Sequence, residues 1–472
     1  MSIVMDVREL SVTTRSPTPD ILVHPISFSL KAGQPLTLLG ETGSGKSLLA
    51  QALMGNLPRE LQASGQVFVD GVDLLQLPPR QRQRWWGRRM AMLPQEPWHA
   101  LDPTMAIDQQ ISEGYRLVAG LSAQQAEETA LVDLEQLDLK QVEGYLPSEL
   151  SGGMAQRAAF AAARTGAATI VIADEPTKGL DNARRDDVVR LLAQAAREQG
   201  VLLTITHDIA VARQLSQLGG DIMIVKSGKC MEHGPAHDIL DNPASDYGQR
   251  LLAADPQSWP AVQHTQRPLP SPIIEAQSVT KTRGGKLLFQ DLSLSLSPGE
   301  IVGITGPSGC GKSTLGDMLL GLVKPDRGKV CRSNDYSPRR FQKLYQDPPA
   351  AFSPYWTMGT LLADLCRLHR IEHRRIPSLL KRLELHPDLL GRRPDAISGG
   401  ELQRFAILRA LLLDPVFLFA DEPTSRLDPI TQQETIALLV ELARERHCAL
   451  LLVSHDEALV QHSCDRQIAL HH

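Results

Sequence analysis

Apolar residues along this chain gather in short unbroken runs rather than alternating with polar ones. Residues 36–39, 169–173, 201–206, 301–305, 416–420 and 449–454 all read this way. A strand with one wet face alternates, whereas a strand covered by helices on both faces does not, so the runs predict central strands of parallel sheets. Alanine- and leucine-rich stretches with helical character follow Ser151 and Ser398. The fold class this implies is α/β. Ligands of such sheets collect at the carboxyl ends of the strands, and each run here ends in a polar residue of chemical interest.

The pattern occurs twice. Matching positions are offset by 266 residues at Lys46 and Lys312, 251 at Gln95 and Gln346, 247 at Ser151 and Ser398 and at Asp174 and Asp421, and 248 at His207 and His455. So long a period means tandem domains rather than a solenoid. Pro256, Pro260, Pro268, Pro270 and Pro272 mark an extended connector, which sets expected domains at 1–254 and 273–472 with a linker at 255–272. The second copy is shorter between its lysine and its glutamine, so a β-rich insert is expected to be trimmed there. It also ends soon after His455, whereas the first copy is expected to continue through a further strand at 221–226 and Gly228.

The first copy carries Gly40-Glu41-Thr42-Gly43-Ser44-Gly45-Lys46-Ser47 and the second Gly306-Pro307-Ser308-Gly309-Cys310-Gly311-Lys312-Ser313. Both fit G-x-x-x-x-G-K-[ST] between an apolar run and a helical pattern, the context that motif requires. The glycines let successive backbone N–H groups curl around phosphate oxygens at a helix N-terminus. Lys46 and Lys312 are then expected to reach the β- and γ-phosphates of ATP, and Ser47 and Ser313 to hold Mg²⁺. A glycine turn that binds nothing is the alternative for one match, and two matches at corresponding places set it aside.

Asp174-Glu175 and Asp421-Glu422 end two of the apolar runs. The first carboxylate of each pair is a candidate for positioning Mg²⁺ and the second for polarising the attacking water. His207 and His455 follow the next run, placed to sense the γ-phosphate or that water. Ser151-Gly152-Gly153 and Ser398-Gly399-Gly400 open helices and offer a second anion site in each half, helped by the helix dipole. Since each half already has a phosphate loop, this second site is expected to serve a different nucleotide edge.

Composition narrows the partners. At 42% hydrophobic and 22% charged residues the chain is globular, and its net charge of −5 gives no global footprint for nucleic acid. No apolar run approaches the roughly 20 residues needed to span a bilayer, and Asp6 and Glu9 argue against a signal peptide, so a cytosolic chain is expected. The six cysteines show no metal-binding spacing and read as free thiols, Cys310 as a small space-filler. Arg80, Arg82, Arg84, Arg88 and Arg89 flank Trp85-Trp86. They read as a solvated basic helix end over buried tryptophans, with a partner- or membrane-facing patch as the alternative.

These motifs, in this order, resemble the nucleotide-binding domains of ATP-binding cassette (ABC) transporters over almost the whole chain. The resemblance implies two tandem P-loop ATPase domains, each a mostly parallel sheet with a helical and a small β-rich subdomain, closing head to tail around two ATP molecules. Lys46 and Glu175 would then work with Ser398 and Gly400, and Lys312 and Glu422 with Ser151 and Gly153. Gln95 and Gln346 match the glutamine that contacts Mg²⁺, and Asp181 and Asp428 the aspartate that couples the sites. The text from Gln95 to Pro103 and from Gln346 to Pro354 is similar to the dipeptide, oligopeptide and nickel importer branch, here with two ATPase subunits fused. The partners implied are two transmembrane permease subunits and an extracytoplasmic solute-binding protein, and the place is the cytoplasmic face of the inner membrane, as a peripheral subunit. The aromatic that commonly stacks on adenine is missing, with Thr14 and Arg283 near its place. A non-transport tandem ATPase on a soluble complex, for example in phosphonate degradation, is the alternative.

Overall fold

The computed structural model describes residues 3–95, 100–178, 180–197, 200–260, 270–425 and 427–470. It divides into two compact units, Met1–Ala253 and Ala254–His472.

The N-terminal unit holds two sheets. The strands β1 (Ile3–Thr14), β2 (Ile21–Lys31), β4 (Leu61–Val69) and β5 (Val72–Asp73) form an antiparallel sheet in the order β2-β1-β4-β5. The strands β3 (Leu36–Leu39), β6 (Met90–Leu93), β7 (Ile170–Asp174), β8 (Val201–Thr206), β9 (Asp221–Lys226) and β10 (Lys229–Pro235) form the second, in the order β10-β9-β3-β8-β7-β6. All its neighbours run parallel except the edge strand β10.

The C-terminal unit repeats the plan with fewer strands. The strands β11 (Ile274–Arg283), β12 (Lys286–Leu296) and β14 (Arg327–Arg332) make a three-stranded antiparallel sheet, trimmed relative to its counterpart. The strands β13 (Ile301–Thr305), β15 (Phe341–Leu344), β16 (Phe417–Asp421), β17 (Ala449–Val453) and β18 (Arg466–Ala469) run parallel in the order β15-β16-β17-β13-β18. The reading that only the first copy continues into a further strand is therefore corrected. β18 flanks β13 as β9 flanks β3. Among the described residues, what the first unit has in addition is β5, β10 and the helices Ala236–Asp241 and Asp246–Ala253.

The continuous apolar runs are explained by packing on two faces. Successive side chains of a strand point to opposite sides. On β17, Ala449, Leu451 and Val453 pack into the core beside the antiparallel sheet, while Leu450 and Leu452 pack into the core beneath the helices. On β16, Phe417 and Phe419 face the first core and Leu418 and Ala420 the second. Each fully buried large side chain of this kind contributes about 1.5–3 kcal/mol, so the sheets are the stable scaffold on which the loops sit.

Part of the expected connector, 261–269, lies outside the described residues. Its beginning is packed: Trp259 is buried in the core of the C-terminal unit and its Nε1 donates to Ala254 O at 3.1 Å. An indole buries too much apolar area to be left in a free strand.

Candidate functional site

In each unit the register of the parallel strands brings the chemical residues to one end of the sheet. Leu39 pairs with Thr206, and Asp174 with Ile205, so Gly40, Glu175 and His207 all emerge together. Ile304 and Asp421 both pair with Val453, which does the same for Gly306, Glu422 and His455.

The glycine loops need their glycines. Gly45 and Gly311 take left-handed φ values of 92° and 103° as they open the helices Lys46–Met54 and Lys312–Leu319, and neither supplies a side-chain cap. The first N–H groups of those helices are thus left to an external acceptor. At Gly40 a Cβ would lie 2.1 Å from Val225 O, so the loop can approach β9 only without a side chain.

Lys46 Nζ donates to Gly40 O at 2.7 Å and Glu41 O at 2.8 Å. Lys312 Nζ donates likewise to Gly306 O at 2.7 Å and Pro307 O at 3.0 Å. Both ammonium groups are folded onto their own loops, whose carbonyls give the buried cations hydrogen-bond partners.

Ser47 Oγ donates to Asp174 Oδ1 at 3.0 Å and Ser313 Oγ to Asp421 Oδ1 at 2.9 Å. A hydroxyl beside a single carboxylate is a hard oxygen donor set. Among the described residues no cluster of three or more His, Cys, Asp or Glu could cage a metal alone. That combination fits Mg²⁺, which is held by one or two carboxylates together with substrate phosphates. Burial pushes the Asp174 carboxyl up to about 6, against the Ser47 hydrogen bond, and burial also raises Asp421.

Glu175 and Glu422 share a strained backbone, with φ of 48° and 46°. Each is fixed by its amide, Glu175 N to Ile205 O at 2.8 Å and Glu422 N to Val453 O at 3.0 Å. The left-handed conformation is thus kept at the same place in both copies, directly after the strand. His207 Nδ1 stands 2.8 Å from Glu175 Oε2 and His455 Nδ1 3.6 Å from Glu422 Oε2. The first contact is short, and His207 Nδ1 is buried with no other hydrogen-bond partner. Burial would push Glu175 up and His207 down. Their mutual attraction outweighs it, so the carboxyl lies below and the imidazole above its ordinary value.

Gln346 Nε2 donates to Glu422 Oε2 at 2.9 Å, so this glutamine sits on the second carboxylate of its pair. Gln95 lies half-buried two residues past the end of β6, and residues 96–99 of the motif it begins lie outside the described residues. Ser151 and Ser398 cap the helices Gly152–Arg164 and Gly399–Leu412, each hydroxyl accepting from the N–H three residues on. Among the described residues no hydrogen bond joins either S-G-G element to the phosphate loop of its own unit.

Part of the arginine-rich stretch is tied into the structure. Arg82 donates to the carbonyls of Leu75 and Leu77, Arg89 pairs with Asp70, and Trp86 Nε1 donates to Met54 O, leaving Arg80, Arg84 and Arg88 exposed. All six cysteines are free, and burial pushes Cys448 and Cys464 up to about 12, which keeps them inert. Two neighbours of the sites were not foreseen. Tyr247 Oη accepts from Glu41 N at 3.2 Å, and Lys343 Nζ stands 3.5 Å from Asp421 Oδ2. The lysine was detectable only by setting the two copies side by side, where Met92 takes its place.

Two phosphate loops, each beside a Ser–Asp pair and a Glu–His pair, define a tandem P-loop nucleotide-binding protein. The ABC transporter family model matches residues 23–178 and 289–425, so the chain belongs to the ABC transporter family. It is a fused ATP-binding protein of the peptide-importer branch, an ATP hydrolase built of two tandem ABC ATPase domains. The chain is 31% identical over 99% of its length to a peptidoglycan transport ATP-binding protein of Agrobacterium fabrum, covering 91% of that protein. It is 32% identical over 93% of its length to a glutathione import ATP-binding protein of Salmonella typhi, covering 80% of it. The solved structure of an RNase-L inhibitor matches 97% of the chain, and 87% of that protein, with a TM-score of 0.65 at 21% identity. At that identity it supports the tandem fold alone.

Proposed function

We propose that the protein is the ATPase subunit of an importer, coupling ATP hydrolysis to uptake of a small solute through separate permease subunits at the cytoplasmic face of the inner membrane. The observation that carries this reading is similarity along nearly the whole chain to fused ATP-binding proteins named for import of glutathione and transport of peptidoglycan. Their cargoes favour a peptide-like solute over nickel or another metal chelate. A solute-binding protein would deliver it. No helix among the described residues is long and apolar enough to cross a membrane, which suits a subunit docked on membrane partners.

In this reading the loop N–H groups and Lys46 or Lys312 hold the nucleotide phosphates. Ser47, Asp174 and Gln95 in one unit, and Ser313, Asp421 and Gln346 in the other, would hold Mg²⁺, which neutralises charge on the β- and γ-oxygens when bound. Glu175 and Glu422 polarise the water that attacks the γ-phosphorus. His207 keeps Glu175 ionised, and both imidazoles orient the carboxylate beside them. The S-G-G elements supply N–H donors to the nucleotide held by the sibling unit, Ser398 and Gly400 to that on Lys46, Ser151 and Gly153 to that on Lys312.

The test is affinity purification of the tagged chain from its own cell in mild detergent. Recovery of two polytopic membrane subunits, with ATPase stimulated by a loaded binding protein, supports import. Recovery with a soluble enzyme core, and no membrane subunit, contradicts it.

A further inference from the structure

The two sites follow one plan except at one corner. Lys343 pairs across the sheet with Phe419, two residues before Asp421, and Met92 pairs with Ile172, two residues before Asp174. The positions are therefore equivalent. Lys343 Nζ lies 2.7 Å from Asp317 Oδ1 as well as 3.5 Å from Asp421 Oδ2. Asp317 stands five residues after Lys312, where the N-terminal unit has Gln51 five after Lys46. Lysine and aspartate thus occur together in one unit, methionine and glutamine in the other.

The Lys343 side chain is only 13% exposed, so its charge is screened little by water. Both oxygens of Asp421 are engaged, Oδ1 by the Ser313 hydroxyl at 2.9 Å and Oδ2 by the ammonium. Asp317 serves as the counter-ion that lets a lysine stand there at all. In the N-terminal unit the carboxamide oxygen of Gln51 is buried with no hydrogen-bond partner, so that unit has no ion pair at the matching corner.

We infer that Lys343 is a positioning residue of the C-terminal nucleotide site, supplying fixed positive charge that the N-terminal site takes from a divalent cation, so that the two sites differ in cation dependence. This rests on the reading of Ser47–Asp174 and Ser313–Asp421 as Mg²⁺ positions. A cation arriving at Asp421 is repelled by the ammonium already on Oδ2. After screening by Asp317 and water, the concentration for half-occupancy rises by about tenfold relative to the N-terminal site. The same ammonium attracts phosphate oxygens, so nucleotide binding without a cation is stronger in the C-terminal unit.

The experiment uses the full chain with one phosphate loop silenced at a time. Lys46→Ala leaves the C-terminal site and Lys312→Ala the N-terminal one. Mn²⁺ binding in the presence of ATPγS is read by electron paramagnetic resonance, and binding of a fluorescent ATP analogue is read with and without EDTA. The expected result is a Mn²⁺ midpoint about tenfold higher for the Lys46→Ala chain, with more analogue retained in EDTA. Adding Lys343→Met with Asp317→Gln closes the gap, and adding Met92→Lys with Gln51→Asp to the Lys312→Ala chain moves its midpoint up. The second graft serves if the first fails to fold. Equal midpoints, or a gap that neither graft moves, overturn the inference. If the unsubstituted chain itself binds no nucleotide at any Mn²⁺ level, the underlying reading falls and the inference with it.

Discussion

His207 Nδ1 approaches Glu175 Oε2 to 2.8 Å at the floor of the N-terminal site, a contact that decides which of two opposed forces sets the charge of the carboxylate. Burial favours the neutral acid, and the imidazole and Lys46 favour the anion and prevail. By linkage, the carboxylate's contribution to stability is present above its ordinary 4.5 and lost as pH falls through its lowered folded value. The imidazole's contribution is present below its ordinary 6.5 and lost as pH rises through its raised one. His207→Ala leaves burial as the dominant influence. The acid limb of the ATPase pH profile should move to higher pH, with turnover at neutral pH lower by about 10- to 100-fold. A pH–rate series checks this, and an unmoved acid limb contradicts it. His455→Ala should lower turnover less, because Gln346 also holds Glu422 at 2.9 Å.

Asp174 is a buried carboxyl that costs the ligand-free protein stability. Its carboxyl ordinarily titrates at 3.8 and is pushed by burial to about 6. The folded state therefore binds this proton more tightly than the unfolded chain. The stability it contributes is full below 3.8 and is lost as pH rises through about 6. At pH 7.5 the ligand-free protein carries a penalty of up to about 3 kcal/mol from this group. Asp174→Asn should raise the melting temperature of the ligand-free chain at pH 7.5, change it little at pH 4, and abolish cation-dependent nucleotide binding. Calorimetry at the two pH values checks the sign.

Gly311 combines a left-handed backbone with close neighbours: an added Cβ would lie 2.9 Å from Leu288 Cβ. Gly311→Ala should cost about 1–2 kcal/mol from the backbone alone. It should also weaken ADP binding at the C-terminal site, read by titration calorimetry in the Lys46→Ala chain.

The cap at Ser398 separates structure from function. Glu401 Oε2 accepts from Ser398 N at 3.1 Å and Oγ at 2.6 Å, closing a capping box, whereas the N-terminal unit has Met154 at that position. Glu401→Met should lower the stability of the C-terminal unit by about 0.5–1 kcal/mol and leave ATP turnover unchanged. Ser398→Ala should cost about as much stability and also reduce turnover.

Much of this was legible in the chain because phosphate chemistry imposes rigid spacing. Two glycine loops, two carboxylate pairs and two histidines recur at nearly constant offset, and the unbroken runs announce strands with two dry faces. What was not legible depends on packing without a pattern. β18 has only four residues, Arg-Gln-Ile-Ala, with a partly wet edge position, so its sequence gives no apolar run. Trp259 lies among prolines that read as a connector, yet its indole anchors in a core. Lys343 is a single substitution inside a strand, and nothing around it in the sequence points to Asp421, 78 residues on.

The claim on which the rest depends is that Glu175 and Glu422 are the bases of ATP hydrolysis. It is tested by steady-state turnover of the full chain carrying Glu175→Gln with Glu422→Gln, alongside equilibrium ATP binding. The account predicts binding like that of the unsubstituted chain, with hydrolysis slower by at least about 100-fold. Hydrolysis near the unsubstituted rate would contradict it.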